Sequence, residues 1–190
     1  MNGLLEEWPE DWQFLFVDEA TVWRHPTLSA RGCLVDDVLE VLTGDDHRQV
    51  QVYRAVSPLT GRTHYRIRAT LSKDHFAGFL SQLSRSDRDP KILLIHDRAP
   101  PHRGRAIDEG VKAAEGRLML MPQPRYSPEF NPQERLWKWL RRVVTHEHWL
   151  ETLPEELQAI RDFFCYVAGR KAESRQLCAI KTPESLVALP

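Results

Sequence analysis

The run Lys91 to His96 reads KILLIH and is followed at once by Asp97. Four consecutive aliphatic residues in so short a run make a buried strand, because a core helix needs more length. A second run, Gln13 to Val17 (QFLFV), ends in the same way, in Asp18 and Glu19. In an α/β sheet the chemistry gathers at the carboxyl ends of neighbouring strands, so two strands that each deliver an aspartate there set the problem. If the two strands pair, Asp18 and Asp97 become neighbours.

The rest of the chain supplies what such a sheet needs. Gln49 to Val56 and Thr63 to Ala69 alternate with period two around the turn residues Ser57 to Gly61, which predicts a hairpin. Ser72 is a helix N-cap ahead of Phe76, Phe79, Leu80 and Leu83, which share one helical face. Pro100-Pro101 breaks the chain before a helix from about Arg103 to Ala114, and Leu118 to Met121 reads as another strand. Asn131 as cap, Pro132 at the first helical position and Glu134 at the third predict a helix running to about His146. A last helix is expected near Glu155 to Val167. This order predicts an α/β fold, a mixed sheet flanked by helices. A single domain over 1–170 is expected, with a loosely held polar tail over 171–190.

Composition narrows the classes. With 190 residues and 42% hydrophobic content the chain builds one domain with a real core. It has no apolar run of about 20 residues to span a bilayer. The start, MNGLLEEWPEDW, lacks a signal pattern, so a cytoplasmic location without membrane contact is expected. Cys33, Cys165 and Cys178 form no CxxC spacing, which argues against a zinc site or a disulfide framework. The net charge of −1 hides an uneven distribution: Arg98 to Arg142 holds ten Lys/Arg against five Asp/Glu, and the remainder 16 against 22. A basic sector of this kind suits a polyanion, although such asymmetry also arises by chance.

Two divalent metals about 3.5–4 Å apart can activate a nucleophile and stabilise the leaving oxygen of a phosphodiester. Magnesium prefers carboxylate oxygens and keeps several waters, so few protein ligands suffice. Asp18, Asp97 and Glu134, from two strand ends and a helix start, would make such a site. Each also fits a simpler role. Either aspartate can end a strand, Asp97 can pair with Arg98, and Glu134 can serve only in a capping box with Asn131. Glu19 should point away from Asp18 on a strand and is left out of the site. On the last of these elements Glu134, Lys138, Arg141 and Arg142 fall near one helical face, a strip that suits a DNA backbone or simply solvent. Trp137, Trp139 and Leu140 read as core.

The stretch YSPEFNPQERLW, residues 126–137, closely resembles the signature of the insertion sequence 630 family of Tc/mariner transposases. The resemblance makes Glu134 the third member of an Asp-Asp-Glu triad. The segment Ile92 to His102 resembles the family's second aspartate region, with 36 residues between Asp97 and Glu134, and Phe14 to Glu19 resembles the first. The likeness covers about residues 13–150. It implies a ribonuclease H-like fold and two Mg2+ (or Mn2+) ions held by Asp18, Asp97 and Glu134. It implies cleavage at transposon ends and joining of the freed 3′-hydroxyls to target DNA, usually at a TA dinucleotide.

Arg98 stands where many relatives carry asparagine; it contacts a phosphate or pairs with Asp97. His102 is a candidate supporting group near the leaving DNA strand, with packing or surface exposure as the simpler roles, and Arg125 and Tyr126 are further candidate DNA contacts. The resemblance also implies a homodimer; the family's helix-turn-helix modules are expected to be absent, which leaves room for a separately encoded helix-turn-helix subunit. An inactive or split remnant acting as an interaction module, or a nuclease that does not transpose, remain alternatives to the transposase.

Overall fold

The computed structural model describes residues 11–24, 48–85, 91–124, 131–146 and 150–178. Five strands form among them: β1 (Trp12–Trp23), β2 (Gln49–Val56), β3 (Thr63–Arg68), β4 (Lys91–His96) and β5 (Leu118–Pro122). They join in the order β3-β2-β1-β4-β5. The β1, β2 and β3 strands run antiparallel, whereas β4 and β5 lie parallel to β1. The sheet is therefore mixed, as expected, and the two apolar runs that lead into the aspartates pair with each other.

Helices cover both faces: α1 (Lys73–Ser84), α2 (Arg105–Ala113), α3 (Glu134–Val144), α4 (Leu153–Gly169) and α5 (Lys171–Leu177). Alternation along β1 divides the core. Leu15 and Val17 pack with Phe76, Phe79, Leu80 and Leu83 of α1 and Ile107 of α2. Ala20 and Val22 pack with Leu136, Trp137 and Leu140 of α3 and with Ile160, Phe163 and Phe164 of α4. Successive side chains of a strand point to opposite faces, so Asp18 belongs to the α3 face and Glu19 to the α1 face. Among the described residues no helix is long and apolar enough to cross a membrane.

Several elements differ from expectation. The β1 strand runs past Asp18 and Glu19 to Trp23, because its second half pairs with β2 down to Trp23 opposite Gln49. The helix expected from about Arg103 to Ala114 forms as α2, preceded by a 3-10 turn, Pro100–His102, that the sequence did not announce and by Gly104 at φ 117°. The α3 helix begins at Glu134, two residues later than the expected start at Pro132. Asn131 Oδ1 still accepts the Gln133 N–H at 3.0 Å, but the N-cap residue is Gln133, in αR geometry and without a side-chain cap.

Residues 171–177 are not the loosely held tail expected from their polarity. They form α5, whose Ser174 is buried and accepts from Arg54 Nη2 at 3.3 Å. The β2–β3 turn also presses on the start of this helix. At Gly61, with φ +72°, a Cβ would lie 2.1 Å from the Lys171 carbonyl oxygen, so only glycine fits. Residues 179–190 and the candidate contacts Arg125 and Tyr126 lie outside the described residues, as does Cys33. Cys165 and Cys178 are free thiols.

Candidate active site

Phe16 pairs with Ile95 in the parallel register of β1 and β4. Two residues further on, the same register brings Asp18 level with Asp97, which stands just past the end of β4. Adjacent strands lie about 4.8 Å apart, so the two residues stand side by side on neighbouring chain segments. Asp18 is half-buried. Burial pushes its pKa up, the charge of Asp97 adds to that, and hydrogen bonds from the Trp137 and Asn131 side chains oppose it.

The same hydrogen bonds tie α3 to the sheet. Trp137 Nε1 donates to Asp18 Oδ2 at 2.7 Å. Gln133, fully buried, donates from Nε2 to the carbonyls of Phe16 at 2.7 Å and Arg54 at 3.0 Å. Its Oε1 accepts from Arg54 Nη1 at 3.0 Å. Arg54 lies directly opposite Asp18 in the β1–β2 register and is itself fully buried; burial lowers its pKa. Residues 131–133 thus anchor the helix start in the sheet, and Glu134 opens α3 with an exposed side chain. Its carboxylate makes no hydrogen bond or ion pair among the described residues, so it takes no part in a capping box.

Asp97 is held from the other side. His102 Nδ1 donates to Asp97 Oδ1 at 2.6 Å, and the Ala99 N–H donates to the same oxygen at 2.9 Å. The His102 bond leads the causes that hold the Asp97 carboxyl below its usual range. His102 Nε2 donates to Glu19 Oε1 at 2.7 Å. Burial by itself would pull the His102 imidazole down, but the bonds and charges of Asp97 and Glu19 outweigh it and push the pKa up to about 10.

His102 is therefore an internal ion-pair residue. It is 3% exposed with both ring nitrogens on carboxylates, so it offers no donor to a phosphate, and the expectation of a DNA contact at this position is corrected. Glu19 does turn away from Asp18, as its place in a strand requires, yet it joins the Asp97 cluster through His102. Alternation could exclude it from one face of the sheet but could not reveal what waits on the other. Arg98 does not pair with Asp97; its Nε donates to the Gln123 carbonyl at 2.9 Å.

On α3, Lys138 and Arg142 are exposed. With Arg135 and Trp139 they line a groove of about 630 Å3 whose far wall is Glu173, Gln176 and Leu177 of α5. Arg141 is not among the lining residues, and the basic strip is better described as Arg135, Lys138 and Arg142. Their spacing of three and four residues was readable in the sequence, although Arg135 was passed over. Trp137 and Leu140 are core residues, as expected, and Trp139 packs against Phe163 with ring centroids 5.1 Å apart.

A family model described as DDE superfamily endonuclease matches residues 13–155. The chain belongs to this family. Among curated proteins, the DDE superfamily endonuclease chain is 26% identical over 164 residues to the insertion element IS630 uncharacterized 39 kDa protein of Shigella sonnei. That alignment covers 86% of this chain and 48% of the relative, so the chain spans about half the length of the curated relative it matches. The fold is similar to that of the Mos1 mariner transposase catalytic domain, with a TM-score of 0.60 at 12% identity, covering 93% of this chain and 83% of that one. It is similar also to the Mos1 strand transfer complex, with a TM-score of 0.63 at 14% identity, covering 87% and 52%. Mos1 paired-end complexes with Mn and with Mg share the fold at TM-scores of 0.62. The mixed five-stranded sheet with helices on both faces is thus the ribonuclease H-like fold.

Proposed function

We propose that this endonuclease domain is the catalytic part of a DNA transposase, with Asp18, Asp97 and Glu134 as its metal-binding and catalytic carboxylates. The observation that carries the reading is the pairing of β1 with β4, which levels Asp18 with Asp97, together with the Trp137–Asp18 bond that holds the helix of Glu134 beside them. The donor set suits Mg2+ or Mn2+. It consists of hard carboxylate oxygens, and burial, with the charge of Asp97 adding to it, raises the pKa of Asp18, a cost that a divalent cation would relieve.

Two cations bound there would supply charge neutralisation and an activated water. The residues of the chain do the rest. Asp18 and Asp97 would hold the cations beside the scissile phosphate, and the exposed Glu134 would orient the attacking water. The water oxygen bonds to phosphorus as the bond to the 3′-oxygen breaks, which leaves a 5′-phosphate and a free 3′-hydroxyl. That hydroxyl then attacks a phosphodiester of the target in the same sense. Lys138 and Arg142, with Arg98 and Arg141, would hold the DNA backbone by charge-assisted contacts; Arg125 and Tyr126 are proposed to join them. A homodimer in the cytoplasm, working with a helix-turn-helix end-recognition module, completes the reading.

The test is nicking of a supercoiled plasmid in Mn2+. The parent should nick, whereas D18N, D97N and E134Q should lose at least about 100-fold in rate, in keeping with groups that act as one unit. Equal cutting by the parent and the three variants would sink the mechanism. Incubation with pre-cut transposon ends then separates a transposase, which joins them to a target, from a nuclease, which does not.

A further inference from the structure

Glu19 is a carboxylate only 10% exposed, on the face of β1 away from Asp18, and its bond goes to a histidine that is 1% exposed in its side chain. We propose that Glu19 and His102 form a buried positioning pair that orients the Asp97 carboxylate for divalent-metal binding. This inference rests on the metal-centre reading given above.

Asp97 stands beyond the last paired residue of β4, where no sheet hydrogen bonds hold it. Its side chain is gripped at a single oxygen: His102 Nδ1 and the Ala99 N–H both donate to Oδ1. Oδ2 carries no hydrogen bond among the described residues. A carboxylate held in this way has a set rotamer and one oxygen left for a cation.

The orientation of the ring is set in turn by its surroundings. Its far nitrogen is on Glu19 at 2.7 Å, its face lies against Phe76 with centroids 4.3 Å apart, and His96 meets it edge-on at 5.3 Å. Phe76 is fully buried in the α1 core. Two carboxylates within 2.7 Å, one at each nitrogen, require an N–H on both, so the ring is a cation between two anions. Alternation along β1 therefore lets consecutive residues serve one site by different routes. Asp18 reaches it on one face, and Glu19 acts on the other through His102 and Asp97. Partners that orient a metal ligand in this way commonly contribute 10- to 100-fold in affinity.

An arrangement in which Glu19, His102 and Asp97 are themselves the ligands of one ion is the alternative, since their ligand atoms lie within 4.8 Å of one another. A double-mutant cycle separates the two. Mn2+ binding is measured by calorimetry on the full chain for the parent, E19Q, H102Q and E19Q/H102Q, with circular dichroism to confirm folding. E19Q, H102Q and the double variant should each weaken Mn2+ binding about 10-fold or more, and the double by no more than the worse single, because Glu19 acts only through His102. The half-saturating Mn2+ concentration for nicking should move in step while KM for plasmid stays constant, a split that a merely less stable fold would not produce.

E19Q keeps the shape of glutamate and carries the test by itself if H102Q fails to fold. Unchanged Mn2+ affinity in E19Q would overturn the proposal. A double variant whose loss is the product of the two single losses would overturn it in favour of direct ligation by Glu19. A parent that binds no Mn2+ would remove the metal centre itself and this pair with it. A parent whose binding is lost in D97N yet kept in E19Q would remove only the pair.

Discussion

Trp137 donates its indole N–H to Asp18 at 2.7 Å, one helical turn beyond Glu134. The helix that carries Glu134, the last carboxylate of the proposed triad, is thus bonded to the first, across 119 positions of chain. A hydrogen bond to a carboxylate is worth about 1.5–3 kcal/mol. Trp137→Phe keeps most of the buried ring and removes the donor. Stability at pH 7 should fall by about 2 kcal/mol in denaturant titrations, with a smaller loss at acid pH, where Asp18 is protonated. Because the bond lowers the Asp18 pKa, its removal should also move the onset of Mn2+ binding to higher pH.

Gln133 satisfies three buried groups at once: the Arg54 guanidinium and the carbonyls of Phe16 and Arg54. Gln133→Ala leaves all three short of a partner in a site closed to water. Unsatisfied buried groups cost about 1–3 kcal/mol each, so a loss of roughly 3 kcal/mol or more is expected by chemical denaturation. A loss below about 1 kcal/mol would show that water or a shifted helix replaces the side chain.

The His102 proton makes stability depend on pH in the alkaline range. Its folded pKa of about 10 lies above the ordinary 6.5, so the folded chain holds a proton that the unfolded chain gives up. The stabilisation is complete below about pH 6.5 and fades as pH rises through about 10, with a slope of up to about 1.4 kcal/mol per pH unit. Unfolding free energies measured from pH 6 to 10.5 should fall more steeply for the parent than for H102Q. For Asp97 the sign is reversed: its lowered pKa gives stability above the ordinary 3.8 that is lost as pH falls through the folded value.

Lys138 and Arg142 line the groove beside α5. If both neutralise phosphates, K138A/R142A should lower the slope of log K against log salt by about 1.8, at about 0.9 per contact on duplex DNA. Fluorescence anisotropy across a salt series gives this slope, and an unchanged slope would take the groove out of the DNA path.

Gly61 tests whether α5 belongs to the domain. Gly61→Ala places a methyl group 2.1 Å from the Lys171 carbonyl oxygen at a positive φ. The left-handed conformation alone costs about 1–2 kcal/mol, and relieving the contact must displace α5. Faster proteolysis near residues 170–178, with a lower melting temperature, is the expected result.

Much of this was readable along the chain. The apolar runs before Asp18 and Asp97, the hairpin around Ser57 to Gly61, the cap at Ser72 and the buried faces of Trp137 and Leu140 all follow from local pattern. Local pattern failed where a polar residue was held by something distant. Residues 171–177 looked like a tail because the Arg54 that engages Ser174 lies 120 positions earlier. The α3 helix starts late because Gln133 is drawn into the sheet. The role of His102 stayed open between support, packing and exposure because its second carboxylate partner, Glu19, lies 83 positions earlier.

By itself the sequence determined the periodicities, and through them a mixed α/β sheet in which apolar runs of the first and fourth strands lead into Asp18 and Asp97. Periodicity is a local property, imposed by backbone geometry and by the exclusion of apolar side chains from water. Only the tertiary structure decided which polar groups meet: Asp18 with Trp137, Gln133 with Arg54, and Glu19 with Asp97 through His102. Those contacts depend on strand register and helix docking, and directional bonds between buried groups form only once packing has brought the donors and acceptors within about 3 Å.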